Sequence, residues 1–308
     1  MTLRAAGTER LGLGLAALGR PAYINVGRAE LPADRSVAAM RAATWDVLDH
    51  AYAAGVRWVD TARSYGRAEE FLATWLAQRA PADVTVSSKW GYAYVGDWRL
   101  DAPVHEVKEH SLARFSTQWA ESQALLGSRL ALYQVHSLTP DSPLFVDLAL
   151  QDALAALPTR VGFSTSGPRQ ADTVRRALEL SRHGTPVFTA VQSTWNVLEP
   201  SVGPALAEAH DAGAHVLLKE VLANGRLAVD PPPALADAVT ADAGPDAVAL
   251  AAALAQPWAN TVLLGPAGPD QLRSNLAALT VVSDPAAFAD LATEPDDYWR
   301  ERGALTWS

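Results

Sequence analysis

The stretch MRAATWDVLDHAYAAGVRWVD, residues 40–60, contains the pattern that decides the fold. Its first part repeats apolar residues at the spacing of one helix face: Met40, Ala43, Val47, Leu48, Ala51 and Ala54. Gly55 follows, at a position where glycine commonly ends a helix in the left-handed conformation. The apolar run Val56–Asp60 then predicts a β-strand. The stretch is therefore a helix, a glycine turn and a strand in direct succession.

The same alternation runs along the whole chain, and the transition through a glycine recurs at Asp211-Ala212-Gly213. The predicted strands are Leu11–Leu18, Val56–Asp60, Val84–Lys89, Leu130–His136, Arg160–Ser164, Val187–Gln192, His215–Lys219 and Thr261–Leu264. The predicted helices include Ser36–Ala54, Ala68–Arg79, Glu106–Leu126, Pro168–Arg182, Ser201–Ala212, Pro245–Leu254 and Asp270–Leu279. Alternating strands and helices favour a parallel sheet. Eight such units without a break in composition predict an α/β protein with one domain over residues 1–308, a (β/α)8 TIM barrel.

Two segments fit the barrel pattern less well. Asp230-Pro231-Pro232-Pro233 opens a long loop, and the alanine-rich stretch that follows to Asp246 is compatible with either a helix or a lid. The tail, residues 281–308, contains Tyr298, Trp299 and Trp307, which is too aromatic for a fully solvated terminus. We expect this tail to pack near the barrel mouth.

Composition excludes several classes of function. The chain has 308 residues and a formal net charge of −9, without a cluster of basic residues, so nucleic acid is not an expected partner. It has no cysteine, which excludes disulfides, thiolate catalysis and cysteine-based zinc sites. The spacing of His105, Glu109 and His110 does not match a zinc motif, and no metal is expected. No apolar run approaches the roughly 20 residues of a membrane span, so we expect a soluble cytoplasmic protein without a membrane partner.

Reactive side chains follow three successive predicted strands. Asp60, Lys89 and His136 end strands two, three and four, and Tyr65 lies in the loop after Asp60. Taken singly, a charged residue at a strand end usually begins a solvated loop, and a single histidine is usually a hydrogen-bonded core residue. Barrel enzymes, however, place their reactive groups at the carboxyl ends of the strands. Together the four residues therefore predict a catalytic site.

Carbonyl reduction would use all four groups. Tyr65 can supply the proton to the developing alkoxide if its pKa, ordinarily about 10, is lowered. The Lys89 ammonium would lower that pKa, and Asp60 would hold Lys89 charged and in place. His136 would hydrogen-bond the substrate oxygen and orient it.

The chain resembles the aldo-keto reductase family over nearly its whole length. The matching segments are Asp60-Thr61-Ala62-Arg63-Ser64-Tyr65-Gly66, Ser88-Lys89-Trp90, Glu121-Ser122, Leu125-Leu126-Gly127, Tyr133-Gln134-Val135-His136, Val161-Gly162-Phe163-Ser164, Val191-Gln192, and Gly265 with Gln271-Leu272 and Asn275. The order and spacing of the set are specific, although single segments are not. The catalytic tetrad of the family falls on Asp60, Tyr65, Lys89 and His136.

The resemblance also implies a nicotinamide dinucleotide site. Ser164 and Gln192 match the positions that bind the nicotinamide carboxamide, and Thr165 stands where many members have asparagine. Asn275 matches the residue that contacts adenine, and the segment beginning at Lys219 matches the loop along the pyrophosphate. Gly265 and Gln271 complete this implied set.

Two departures from the family pattern concern the cofactor. Lys219 replaces the aromatic residue that commonly stacks on the nicotinamide. NADP-preferring members usually carry basic residues after strand eight, whereas here the positions are Gly265, Pro266, Ala267 and Gln271, with Arg273 the only cation nearby. Most members of the family prefer NADP, whereas the residues after strand eight in this chain lack the usual positive charges. The expectation is therefore NADP, with NAD as the alternative.

The substrate pocket is predicted from aromatic residues in the loops that follow the strands. Tyr23, Trp90 and Trp98 are its candidates, and packing of a long loop against the barrel is the competing interpretation for each.

These expectations describe an NAD(P)-dependent oxidoreductase that acts on a small aldehyde or ketone, or on the corresponding alcohol. Two alternatives remain: a catalytically silent cofactor-binding sensor or interaction subunit, and a barrel lyase that forms a Schiff base on Lys89.

Overall fold

The computed structural model describes residues 7–28, 30–284 and 286–307, so the first six residues of the predicted domain and Ser308 of its tail lie outside the described residues. Eight parallel strands close into a barrel, each next to its neighbour in sequence, and the first pairs with the last. The strands are β1 (Leu11–Gly14), β2 (Trp58–Asp60), β3 (Thr85–Trp90), β4 (Leu130–Leu138), β5 (Arg160–Thr165), β6 (Ala190–Thr194), β7 (His215–Lys219) and β8 (Thr261–Leu264). The predicted (β/α)8 barrel is confirmed.

Helices connect the strands on the outside of the barrel. They are α1 (Val37–Ala53), α2 (Ala68–Arg79), α3 (Leu112–Leu126), α4 (Leu148–Ala155), α5 (Gln170–Leu178), α6 (Gly203–Asp211), α7 (Arg226–Val229), α8 (Pro233–Ala236), α9 (Pro245–Leu254), α10 (Pro269–Leu276) and α11 (Pro295–Gly303). Short 3-10 turns lie at Thr8–Arg10, Gly127–Arg129, Pro143–Phe145, Ala223–Gly225, Ala277–Thr280 and Ala289–Leu291. None of the described helices is long and apolar enough to cross a membrane.

The unit formed by α1 and β2 folds as its sequence predicts. The Ser36 side chain accepts a hydrogen bond from the backbone N–H of Ala39 and caps the start of α1. The predicted apolar face is turned inward, and Met40 and Val47 are fully buried. After the helix, Gly55 has a φ of 95°, a conformation that a residue with a Cβ adopts only with strain. The chain thereby turns directly from α1 towards β2.

Two predicted helices are shorter in the structure. Glu106–Lys108 pairs antiparallel with Tyr92–Tyr94, and α3 begins only after Ser111, whose side chain caps it by accepting from the Arg114 N–H. The predicted helix to Arg182 ends at Leu178, because the chain turns back at Gly184. In both places a local hairpin replaces part of the helix, since periodicity over a few residues does not separate the two.

The barrel interior is layered. A small apolar cluster of strand residues forms its floor and consists of Leu132, Ala190, Leu217 and Leu263, with Trp58 packed against it. Side chains two residues further along a strand lie on the same face. This spacing leads from Trp58 to Asp60, from Leu132 to Gln134 and from Ala190 to Gln192. The carboxyl ends of the strands therefore place polar side chains directly above an apolar floor.

Candidate active site

Asp60 is the centre of a buried hydrogen-bond network at the end of β2. One carboxylate oxygen, Oδ1, accepts hydrogen bonds from Ser87 Oγ at 2.6 Å, Gln192 Nε2 at 3.1 Å and Gln134 Nε2 at 3.2 Å. The other oxygen, Oδ2, forms an ion pair with Lys89 Nζ. Side chains from three other strands, β3, β4 and β6, thus hold the carboxylate in one orientation.

Lys89 links Asp60 to Tyr65. Its ammonium group donates to Asp60, to the backbone oxygen of Thr61 at 3.0 Å and to Tyr65 Oη at 3.3 Å. An ammonium has three protons to donate, so these contacts use all of them. The side chain is fully buried.

Tyr65 and His136 form the surface that this network presents to the barrel mouth. Their rings meet edge to face, with centroids 5.5 Å apart and an interplanar angle of 81°. His136 Nδ1 lies 3.4 Å from Ser64 Oγ. The predicted tetrad of Asp60, Tyr65, Lys89 and His136 is therefore brought together at one place.

Burial controls the protonation of Tyr65 and His136, the two members of the tetrad that are not part of the ion pair. Burial, assisted by the negative charge of Asp60, raises the pKa of the Tyr65 phenol well above its ordinary value. This differs from the expected lowering by Lys89: desolvation of the phenolate dominates, so the phenol keeps its proton at neutral pH. Burial and the charge of Lys89 hold the pKa of His136 well below its ordinary value, so His136 is neutral.

A long cavity of about 500 Å³ opens above the tetrad. At one end it is lined by Asp60, Tyr65 and His136, and it continues along the loop after β7, which includes Lys219, Asn224 and Gly225. Its other end is lined by Gly265, Pro266, Ala267, Gln271, Ser274 and Asn275. An elongated shape with a reactive group at one end suits a ligand with two linked halves.

Five of the predicted cofactor residues lie on the cavity wall, and two do not. On the wall are Gln192, Lys219, Gly265, Gln271 and Asn275. Ser164 and Thr165 are fully buried beside it: Ser164 Oγ accepts from the Ser137 N–H at 2.8 Å, and Thr165 Oγ1 is 2.7 Å from Ser193 Oγ. Ser137 and Ser166 border the cavity in their place.

Two features of the wall fit a bound dinucleotide. Asn224 Oδ1 is buried and has no hydrogen-bond partner within the described part of the chain, so a ligand donor can satisfy it. A Cβ added to Gly265 would meet nothing within 4 Å, so the backbone there borders open space. Gln192, Lys219 and Asn224 line the cavity between the tetrad and Gly265.

Lys219 and Glu220 form a charged pair where the loop leaves β7. Lys219 Nζ donates to Thr194 Oγ1 at 2.8 Å, and burial lowers the pKa of Lys219 to about 8. Burial alone would raise the pKa of Glu220, but the Arg302 and Lys219 charges bring it down to about 2. Glu220 is therefore ionised, and its two oxygens accept from Arg302 at 2.6 and 2.8 Å.

The tail contributes residues to the cavity that no sequence motif indicated. Arg302 and Trp307 both line it, and the Trp307 ring stacks on His105 with centroids 4.4 Å apart. Trp307 also lies over the Arg20 guanidinium at 4.7 Å. The aromatic content of the tail was the only signal of its position, and the Arg302–Glu220 pairing had none.

The predicted substrate-pocket residues are divided by the structure. Tyr23 lies on the cavity wall. Trp90 does not, because its fully buried ring packs against Phe115 with centroids 5.1 Å apart. Trp98 is also outside the lining and donates its Nε1–H to the Arg35 backbone oxygen at 2.6 Å. For both tryptophans the packing interpretation holds.

Comparison with known proteins identifies the class. The model of the aldo/keto reductase family matches residues 10–293. The chain belongs to the aldo/keto reductase family, which implies oxidoreduction with a nicotinamide dinucleotide. No curated protein sequence matches it.

Solved structures share the fold. A candidate aldo-keto reductase from Pseudomonas aeruginosa is similar with a TM-score of 0.61 and 23% identity, over 88% of this chain and 91% of the other. The holo form of aldo-keto reductase AKR11C1 from Bacillus halodurans has a TM-score of 0.65 and 18% identity, over 98% of this chain and 96% of the other.

Proposed function

We propose that this protein reduces an aldehyde or ketone with NAD(P)H, or oxidises the corresponding alcohol, and that Tyr65 is the general acid. The observation that carries the proposal is the contact of Lys89 Nζ with both the Asp60 carboxylate and Tyr65 Oη at the floor of the cavity. A bound reduced nicotinamide supplies the hydride for this reaction. The protein then has to place the carbonyl oxygen and deliver one proton to it.

Tyr65 and His136 divide this task. In the direction of reduction, Tyr65 donates its phenolic proton to the substrate oxygen as negative charge develops there. Its raised pKa keeps that proton available at neutral pH. The Lys89 ammonium, 3.3 Å from Tyr65 Oη, stabilises the phenolate that remains. The neutral His136 ring hydrogen-bonds the same substrate oxygen and orients it.

The residues that line the cavity around Tyr65 and His136 suit a small substrate with polar groups. Tyr23, Tyr92 and Trp307 supply aromatic surface, whereas Arg20 and Glu106 form a salt bridge of 2.6 Å on the same wall. Water is displaced from this end when the aromatic surface is covered, which strengthens the hydrogen bonds to the reacting oxygen.

A Schiff-base lyase on Lys89 is disfavoured by the same contacts. A Schiff base needs a lysine that is unprotonated and open to the substrate. Lys89 is fully buried, forms an ion pair with Asp60 and is not part of the cavity lining. The lysine that does face the cavity is Lys219.

The test combines binding with turnover. Titration with NADPH and with NADH, followed by tryptophan fluorescence, is expected to show saturable quenching because Trp307 lies on the cavity wall. Tyr65→Phe should bind the cofactor like wild type and lose carbonyl reduction by about 10²- to 10⁴-fold. Tyr52→Phe is the matched control, since Tyr52 lies on α1 outside the cavity lining and should keep full turnover.

The alternatives predict different results. Near-normal turnover of Tyr65→Phe would refute the role of the phenol. Tight binding without turnover of any aldehyde or ketone in a broad panel would indicate the silent sensor. If neither dinucleotide binds, the oxidoreductase proposal fails, and trapping of a carbonyl compound with borohydride becomes the decisive experiment.

A further inference from the structure

The start of α10 borders the part of the cavity that is lined by the residues after β8. The helix follows β8 directly, and Gln271, Ser274 and Asn275 from its first two turns lie on the cavity wall. The backbone N–H groups at the start of a helix have no partner within the helix and attract anions. In barrel enzymes, loops after the last strands and a nearby helix N-terminus frequently bind phosphate.

In this chain a carboxylate already occupies that helix terminus. Glu30, from the loop after β1, accepts through Oε2 from the backbone N–H of Asp270 at 3.1 Å and of Gln271 at 3.2 Å. The same oxygen would lie 2.3 Å from a Cβ added to Gly268, so it sits tightly against the turn that precedes the helix. The loop is held there by further bonds, from Gln271 Nε2 to the Gly27 oxygen and from the Val26 N–H to the Asn224 oxygen.

The charges around this end are mainly negative. Asp246 is buried on the cavity wall and accepts from Ser274 Oγ at 3.0 Å and from Asn275 Nδ2 at 2.7 Å. Arg273 is exposed and paired with Asp270 at 2.6 Å. Arg28 also lines the cavity, but its guanidinium donates to the backbone oxygens of Ala17 and Arg20, on the side of β1.

We propose that Glu30 makes the site selective for NAD(H) over NADP(H). The inference rests on the proposed function, because it requires the reacting ring at Tyr65 and therefore the adenosine half at α10. A 2′-phosphate near this helix would meet the Glu30 carboxylate where it needs N–H groups or a cation, and two like charges at close range repel. A ribose 2′-hydroxyl can instead donate to Glu30, as carboxylates do in other NAD sites.

Glu30 is exposed and is not itself part of the cavity lining, but it contacts Gln271, which is. Both helix N–H groups bond to Oε2, and no bond joins Glu30 Oε1 to the described residues, so this oxygen remains an acceptor. The sequence alone favoured NADP by family habit. Glu30 leads to the opposite expectation, NAD, because the chain lacks the usual cations after β8 and the loop after β1 adds a negative charge there.

The experiment measures equilibrium binding of NADH and NADPH to the whole protein by tryptophan fluorescence, independently of turnover. Wild type is expected to bind NADH more tightly. In Glu30→Gln the amide oxygen can still cap α10, but the charge is gone, so the NADPH/NADH ratio of dissociation constants should fall by about tenfold at low salt. Glu179→Gln is the matched control: Glu179 is exposed, directly follows α5 and is not part of the cavity lining, so this variant should leave the ratio unchanged.

The outcomes are separable. Tighter binding of NADPH by wild type, or the same ratio in wild type and Glu30→Gln, overturns the role of Glu30 while the proposed function stands. Binding of neither dinucleotide overturns the proposed function and this inference with it. In wild type, added salt should reduce the preference for NADH, because the repulsion acts close to solvent; a ratio independent of salt contradicts the electrostatic explanation.

Discussion

The two ends of the cavity are built in different ways. At the catalytic end, Asp60 and Lys89 are buried at strand ends, and neighbouring strands supply their hydrogen-bond partners. At the opposite end, Glu30 and Gln271 come from loops and a helix terminus, and their contacts are exposed to solvent. The proposed chemistry therefore lies on the rigid barrel, whereas the proposed cofactor selectivity depends on a loop that sequence change can alter without disturbing the barrel.

From this difference we expect the Asp60–Lys89 pair to contribute to stability, and the contacts of Glu30 to affect cofactor binding. Removing either partner of a buried ion pair is strongly destabilising, because the remaining charge is buried without solvent or a counter-charge. An exposed charge is screened and can be exchanged at little cost in stability. We expect substitutions at the catalytic end to affect stability and turnover together, and those at the nucleotide end to affect binding alone.

The largest effect is expected from Lys89→Met. The substitution leaves the Asp60 carboxylate buried without its cation, so the free energy of unfolding should fall by about 3–5 kcal/mol. Turnover should fall by about 10²-fold or more, because the stabilisation of the Tyr65 phenolate is lost. Urea unfolding and steady-state rates measure the two effects.

A double variant tests whether stability and chemistry separate at this end. Asp60→Asn combined with Lys89→Met removes both charges, so most of the stability should return while turnover does not. If Lys89→Met alone is as stable as wild type, the two residues do not form the buried ion pair described above.

An intermediate effect is expected from the pH dependence of stability, through the buried side chain of His110 next to His136. His110 Nε2 lies 2.8 Å from the backbone oxygen of His136, to which it donates, and Nδ1 is 2.9 Å from Ser142 Oγ. Burial lowers the pKa of His110 to about 4. An unfolded histidine has a pKa of about 6.5, so below that pH the unfolded chain binds a proton that the folded chain does not.

The contribution of His110 to the free energy of unfolding is therefore fully present above about pH 6.5. It declines as the pH falls, and at pH 5 the free energy of unfolding is lower by about 2 kcal/mol. Unfolding free energies at pH 7.5 and pH 5 should show this loss in wild type and a correspondingly smaller loss in His110→Gln. The same pH dependence in both proteins would show that His110 does not titrate in this way.

The smallest effect is expected from Arg273→Ala at the nucleotide end. Arg273 and Asp270 are mostly exposed, so their ion pair should contribute less than about 1 kcal/mol to stability. If Glu30 and not Arg273 governs the cofactor, the affinities for NADH and NADPH should both stay close to wild type in the titration. A selective loss of NADPH binding would instead identify Arg273 as a phosphate ligand.

Much of the barrel and the tetrad could be predicted because their information is local. The spacing of Met40 to Ala54 and the turn at Gly55 specify a helix and a strand through backbone preferences within a few residues. Asp60, Lys89 and His136 each lie at or within two residues of the carboxyl end of a strand, and parallel strands in a barrel bring these ends to one face. The order of short motifs was therefore sufficient to place the four residues together.

The errors arose where a residue's environment depends on distant segments. The segment from Glu106 to Lys108 has a helical pattern but pairs with Tyr92–Tyr94. Trp90 adjoins Lys89 in sequence, yet alternation along the strand turns its ring outward against Phe115. The pKa of Tyr65 rises because of burial, assisted by the charge of Asp60, and burial has no signature in the residue order.

Chain order and periodicity determined the barrel, its family and the set of four residues that we propose to react. Tertiary structure alone decided that Glu30 meets α10 some 240 residues away in sequence, that Arg302 pairs with Glu220, and that Trp307 covers His105. Contacts between such distant residues depend on how loops and the tail close over the finished barrel. Bringing residues that are so far apart in sequence into contact costs loop-closure entropy, and no local residue pattern shows which of these contacts repay it.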